Sequence, residues 1–292
     1  MKAKVFCPGH ITGLFQVCQH EDAMTCGSRG AGLSISLGVI SDVEVSEGTG
    51  KVDIWLNGLK ADAPVTERAV RNILGDRPLD VKVRNELQLP VAQGFGTSAA
   101  GSISAAWALA HLLGLPEKDA YAAAHSAEII NRTGMGDVSG IMRSGIELRR
   151  KPGLPPIGEV GRMNGHMDLV LAVVGPSIPT AEMLSKRETL EKINTVGSRC
   201  VDSLMKEPTL ENFFRLSNEF MEGSGLATPE IRRAVWEAKK WGWASQAMIG
   251  NSVFATGPDL ELLTETLSQF GEVYRCSVDT KGPRLLWITR TK

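Results

Sequence analysis

The chain has 292 residues, 42% hydrophobic and 22% charged, with 32 Lys and Arg against 33 Asp and Glu for a net charge of −1. That length and composition belong to a globular protein of one large domain or two moderate ones, and exclude disorder as its main state. Without a basic excess, a nucleic-acid backbone or an anionic membrane is excluded as the main partner.

In chain order, Lys2–Cys7, Leu33–Ile40 and Val52–Leu56 read as strands. Val65–Leu74 has helical spacing, with Val65, Ala69, Val70 and Ile73 on one side, and Leu79–Leu87 alternates apolar and charged residues. From Leu87 to Pro116 there is no formal charge, but Pro90, Gln93, Gly94 and Gly96 break the first part. The rest, Ser98–Leu113, makes a helix of roughly 24 Å at 1.5 Å per residue, short of a membrane span and suited to the centre of a domain. A second helix is expected over Glu117–Arg132, then a glycine-marked loop, Thr133–Gly140, and a strand at Gly145–Arg150. Lys151-Pro-Gly-Leu-Pro-Pro156 reads as a linker, dividing the chain into 1–155 and 156–292.

The second half reads as a strand at Asp168–Val174, helices at Ser185–Met205, Leu210–Glu222 and Pro229–Trp241, then strands at Ala244–Met248 and Ser252–Ala255. A helix at Leu260–Phe270 and strands at Glu272–Val278 and Arg284–Thr289 complete it. Trp236, Trp241 and Trp243 are expected to fill a core. The fold class is α+β in two lobes. Cys7, Cys18, Cys26, Cys200 and Cys276 form no C-x-x-C pair, and Met1–His10 carries no apolar leader, so a cytoplasmic setting with reduced thiols is expected.

The sharpest chemical feature is Pro90-Val-Ala-Gln-Gly94-Phe-Gly96-Thr97-Ser98-Ala99-Ala100-Gly101, running straight into a helix. Unpaired N–H groups at a helix start attract anions, glycines allow close approach, and two hydroxyls add donors. It is not the G-x-x-x-x-G-K-[ST] loop, and a capped strand-to-helix turn accounts for it equally well. The second feature is His125-Ser-Ala-Glu128 on a helix, followed by Gly134-Met-Gly136-Asp137. Two carboxylates can divide the work of phosphoryl transfer between a metal ligand and a group that orients the attacking hydroxyl. Each also has an ordinary structural account: Glu128 paired with Arg132, Asp137 in an Asx turn, His125 as a hydrogen-bonded interior histidine.

Cys7-Pro-Gly-His10-Ile, Pro90–Ala100 and, more weakly, Ala247-Met-Ile-Gly250-Asn-Ser252-Val-Phe-Ala255 resemble the three motifs of the GHMP kinases in order. Within that superfamily the chain is most similar to the archaeal pantoate kinases, through Pro8–Phe15, Gly27–Gly32, Gly94–Gly101, Ala124–Glu128, Thr133–Val138 and Gly145–Arg149. The resemblance implies a GHMP kinase fold: an N-terminal α/β domain like domain 2 of ribosomal protein S5, and a C-terminal ferredoxin-like domain. It also implies ATP- and Mg²⁺-dependent phosphorylation of (R)-pantoate in coenzyme A biosynthesis, with a homodimer as a family expectation.

Carried over by residue, Gly94, Phe95, Gly96, Thr97, Ser98, Ala99 and Ala100 form the phosphate loop. Ser98 and Glu128 hold Mg²⁺, and Asp137 is the catalytic aspartate. His10 stands where many relatives carry a lysine that supports that aspartate. For pantoate, the candidates are Ser28, Arg29, His125, Arg149 and His10, with Arg143 behind them and Gly30 and Gly32 making room; an arginine fork suits the carboxylate. Competing readings are another GHMP kinase, acting on mevalonate, homoserine or shikimate, a member that binds nucleotide without catalysis, and a zinc module built from Cys7, His10, Cys18, His20 and Cys26.

Overall fold

Two long antiparallel strands, β1 (Lys2–Cys18) and β2 (Gly27–Glu47), run in register from Lys2 opposite Glu44 to Cys18 opposite Gly27. The register slips at Pro8/Gly9 and again at Thr12/Leu14. Glycines that look like strand breakers here make room for neighbours instead. A Cβ on Gly9 would come within 2.9 Å of the Phe95 carbonyl, and one on Gly13 within 2.7 Å of the Phe213 ring. That is why β1 continues well past Cys7. The computed structural model describes residues 1–178 and 180–290.

Next come β3 (Val52–Leu56), β4 (Leu59–Lys60), α1 (Pro64–Leu74) and β5 (Leu79–Leu87). The helices α2 (Thr97–Leu113) and α3 (Glu117–Asn131) follow, close to their expected bounds. The glycine-marked segment is only partly a loop, because a short helix, α4 (Asp137–Arg143), begins at Asp137. After it, β6 (Ile146–Lys151) and β7 (Glu159–Met163) form an antiparallel hairpin.

The remaining elements are β8 (Asp168–Val173), α5 (Thr180–Ser185), α6 (Arg187–Lys206), α7 (Leu210–Ser224), α8 (Pro229–Ala238), β9 (Trp243–Gln246), β10 (Ser252–Thr256), α9 (Leu260–Ser268), β11 (Glu272–Ser277) and β12 (Arg284–Thr289).

The larger sheet has the order β12-β1-β2-β5-β3-β4, with β6 on the other half of β2 and β7 beyond it. The smaller, antiparallel sheet has the order β11-β8-β10-β9. Numbered along the chain that is 4-1-3-2 with helices after its first and third strands, the ferredoxin-like arrangement. The 155/156 division falls inside the β6–β7 hairpin, and β12 returns from the C-terminus to pair with β1, so the larger sheet draws strands from both sides of it.

Two apolar cores result, and β1 runs through both. Ala3, Val5 and Cys7 pack with α1, α2 and α3, whereas Ile11, Leu14, Phe15 and Val17 pack with α6, α7 and the smaller sheet. Helix α2 is buried on nearly every side, and its many alanines let sheet and helices approach closely. Burying Ile103 and Leu109 completely is worth about 1.5–3 kcal/mol each. No described helix is long and apolar enough to cross a membrane. Contrary to expectation, Trp236, Trp241 and Trp243 are 62%, 40% and 43% exposed. Trp236 lies on the outer face of the amphipathic α8, whose apolar stripe of Ile231, Ala234, Val235 and Ala238 already covers the core, and Trp241 and Trp243 lie just beyond that helix.

Candidate active site

The Gly94–Ala100 segment leaves the sheet and enters α2 through Gly96, whose left-handed φ of +61° suits glycine. A Cβ there would press on the His10 backbone at 3.0 Å, and the His10 amide donates to the Phe95 carbonyl at 2.9 Å. Behind the loop lies the third motif. Ser252 Oγ donates to the Gln93 carbonyl, and a Cβ on Gly94 would come within 2.6 Å of the Ala247 carbonyl. No side chain caps the first turn of α2, so its N–H groups remain available to an anion.

These groups face a cleft of about 670 Å³, part of it open solvent, lined also by Thr12, Phe15, Ser28, Glu128, Thr133–Asp137, Leu184, Met248 and Ile249. Ser98 Oγ donates to Glu128 Oε1 at 2.6 Å. Glu128 therefore pairs with Ser98 across two helices, and Arg132 instead ends α3 with a left-handed φ of +57°. Burial, reinforced by the nearby Asp137 charge and opposed by Ser98, pushes the Glu128 carboxyl up to about 7. Gly134 lies against Glu128 Oε2 and Asp137 Oδ2, so the two carboxylates converge beneath it.

Asp137 opens α4 with its carboxylate at the cleft, and its Oδ1 is 2.8 Å from His10 Nδ1 rather than in an Asx turn. The other ring nitrogen, Nε2, is 3.1 Å from Glu147 Oε1. Burial lowers the His10 pKa, but hydrogen bonds and charge from Asp137 and Glu147 outweigh it, and the net shift is upward. Arg149 NH1 donates to Glu147 Oε1, and NH2 reaches Thr12 Oγ1 at 3.4 Å. Its Nε is buried without a partner and lies with Ser28 Oγ beneath Gly136.

Other sequence candidates fall elsewhere. Arg29 points away from the cleft, because alternation along β2 sends Ser28 inward and Arg29 outward. Its guanidinium holds Asp202 at 2.6 Å, Gln16 and the Arg150 carbonyl. His125 is buried behind the site, with Nε2 3.1 Å from the carbonyls of Ala23 and Cys26. Two carbonyl acceptors require an N–H there, so this ring positions the 23–26 segment and does not line the cleft. Burial lowers its pKa against those hydrogen bonds. Arg143 is exposed at the end of α4. Gly30 and Gly32 make room for Arg149 and His10, not for a ligand. The zinc reading loses His10, both of whose nitrogens are engaged, and Cys7, buried in β1; no cluster of three or more His, Cys, Asp and Glu fit for a metal occurs among the described residues.

Thr12, Thr133, Met248, Ile249 and Glu147 lie inside the motif stretches, but the sequence alone assigns none of them a role. Only Glu147 carried a legible signal, an acid in an apolar strand two residues from Arg149 and hence on its face.

Residues 64–145 match the family model described as GHMP kinases N terminal domain, a span containing Ser98, Glu128 and Asp137. The pantoate kinase of Methanocaldococcus jannaschii is 32% identical over 276 residues, covering 94% of this chain and 99% of the relative. The chain belongs to the pantoate kinase family. A second pantoate kinase, from Methanospirillum hungatei JF-1, is 30% identical over 297 residues, covering 99% and 98% of the two chains. A solved structure described as a phosphotransferase related to the CoA biosynthesis pathway matches with a TM-score of 0.88 and 29% identity over 98% of each chain. The family's GHMP kinase fold thus extends over both sheets.

Proposed function

We propose that the protein transfers the γ-phosphoryl group of ATP to the primary hydroxyl of (R)-pantoate, giving (R)-4-phosphopantoate for coenzyme A biosynthesis. The observation that carries this is the meeting, on one cleft, of an uncapped helix start, the Ser98–Glu128 pair and Asp137, with Ser28 and Thr12 at its inner wall and an unpaired Arg149 Nε buried just behind it, beneath Gly136.

ATP phosphates rest against the Gly94–Ala100 amides. The donors beside them fit Mg²⁺: a hydroxyl and a carboxylate 2.6 Å apart, with the unpartnered Thr133 Oγ1 nearby, are hard oxygen ligands. Ser98 and Glu128 would hold the ion, which when bound neutralises phosphate charge. The pantoate carboxylate is held by Ser28 and Arg149, and Phe15, Met248 and Ile249 supply the apolar wall for its quaternary carbon. Asp137 orients the primary hydroxyl and takes its proton as oxygen bonds to the γ-phosphorus and ADP departs. Positioning and charge neutralisation supply most of the rate. A cytoplasmic location fits the five free cysteines, and a homodimer belongs to the same reading.

The test is ADP release from ATP and Mg²⁺ with pantoate, mevalonate, homoserine and shikimate offered separately. Turnover with pantoate alone is the expected result, and turnover confined to another acceptor would overturn the substrate assignment.

A further inference from the structure

His10 lies where β1 passes from one core to the other and is completely buried, as is Glu147 on β6. An ionised carboxylate only accepts hydrogen bonds, and imidazole donates from both nitrogens only as the cation. With Asp137 Oδ1 at 2.8 Å from one nitrogen and Glu147 Oε1 at 3.1 Å from the other, both contacts are satisfied only by the doubly protonated ring. The charges then balance: Asp137 from α4 and Glu147 from β6 against His10 and Arg149. Elsewhere around the ring β2 and α4 present glycine, and the fit is close. A Cβ on Gly32 would come within 2.9 Å of Nε2 and Cε1, and one on Gly140 within 2.5 Å of Nε2.

We propose that His10 and Glu147 form a positioning relay for Asp137: Glu147, anchored by Arg149, holds His10 as an imidazolium, and the imidazolium pins Oδ1 of Asp137 so that Oδ2 meets the acceptor hydroxyl. This rests on the reading of Asp137 as the group that takes the hydroxyl proton. The upward shift of the His10 pKa, burial notwithstanding, agrees with it. An imidazolium has no lone pair to accept a further proton. The O–H bond of the acceptor therefore breaks as an O–H bond on Asp137 forms, and that proton returns to solvent through the cleft, not inward through His10.

Two measurements test the relay. In wild-type protein labelled with ¹⁵N in its histidine rings, the His10 signals, assigned by their loss in His10→Gln, should show both nitrogens protonated from pH 6 to pH 8. A neutral His10 ring at pH 7 overturns the proposal. In the pantoate assay, His10→Gln should lower kcat about 100-fold and Glu147→Gln about 10-fold, with KM for ATP and pantoate within about threefold of wild type. Glu147→Gln should also render His10 neutral at pH 7. Wild-type kcat in a folded His10→Gln protein overturns the proposal. A wild-type protein inactive on pantoate would instead overturn the proposed function, while the ring spectra still decide the charge on His10.

Discussion

Asp137 and Glu128 are both carboxylates beside Gly134, yet their surroundings differ. Asp137 is paired with His10 and faces the cleft, whereas Glu128 is buried against Ser98. Asp137→Asn keeps the shape but cannot take a proton, so kcat should fall by on the order of 10²–10⁴ with little change in KM for ATP. Single-turnover kinetics check this, and near-normal turnover would remove Asp137 from the proton transfer. Glu128 makes a stability prediction. Its carboxyl loses a proton near 4.5 in the unfolded chain and near 7 in the ligand-free fold, so between those values the folded state binds more protons. Stability from this group is complete below pH 4.5 and is lost as pH rises to 7, by on the order of 3 kcal/mol. His10, shifted upward, has the same sign above pH 6.5. Glu128→Gln should flatten Tm between pH 5 and pH 7 and leave the decline at higher pH.

At the scale of elements, the helices were legible because apolar spacing agrees with the prolines and glycines that flank it: α1, α2 and α3 end within a residue or two of where the sequence places them. Glycine was harder to read, because it marks a turn in one place and a close approach in another. Gly96 needs its left-handed backbone to turn into α2, so Gly96→Ala should cost about 1–2 kcal/mol, lower Tm by a few degrees and raise KM for ATP. Gly136 has a negative φ of −152°, outside the left-handed region, and a Cβ there would meet Ser28 and Arg149. Gly136→Ala should therefore raise KM for pantoate while leaving KM for ATP near wild type. Parallel titration of both substrates separates the two effects, and a shared rise in both KM values would contradict the division of the cleft.

For the whole molecule, the decisive feature is that β1 and β2 belong to both cores. Pro8–Thr12, where the register slips, lies at their junction, carrying Thr12 to the cleft and His10 to a buried place behind Asp137. The C-terminal strand closes the same sheet, with Ala3 opposite Ile288. A chain ending at Gly282 exposes the outer edge of β1, and should unfold at lower temperature and self-associate through that edge. Calorimetry and light scattering check this, and an unchanged Tm would show that β12 adds nothing to the sheet.

The glycine-rich turn into α2, the carboxylate pair and the helices around them were legible in the sequence because each is a local pattern: glycines before a helix start, acids at set positions, apolar residues at helical spacing. Pairings across long separations were not. His10 and Glu147 stand 137 residues apart, and their contact depends on the β1–β2 register and on β6 joining β2 at Gly32. The same topology turned Arg29 outward and drew His125 behind the site. Side-chain chemistry is written residue by residue, but which charges neutralise one another depends on strand register and packing, and those are properties of the assembled fold.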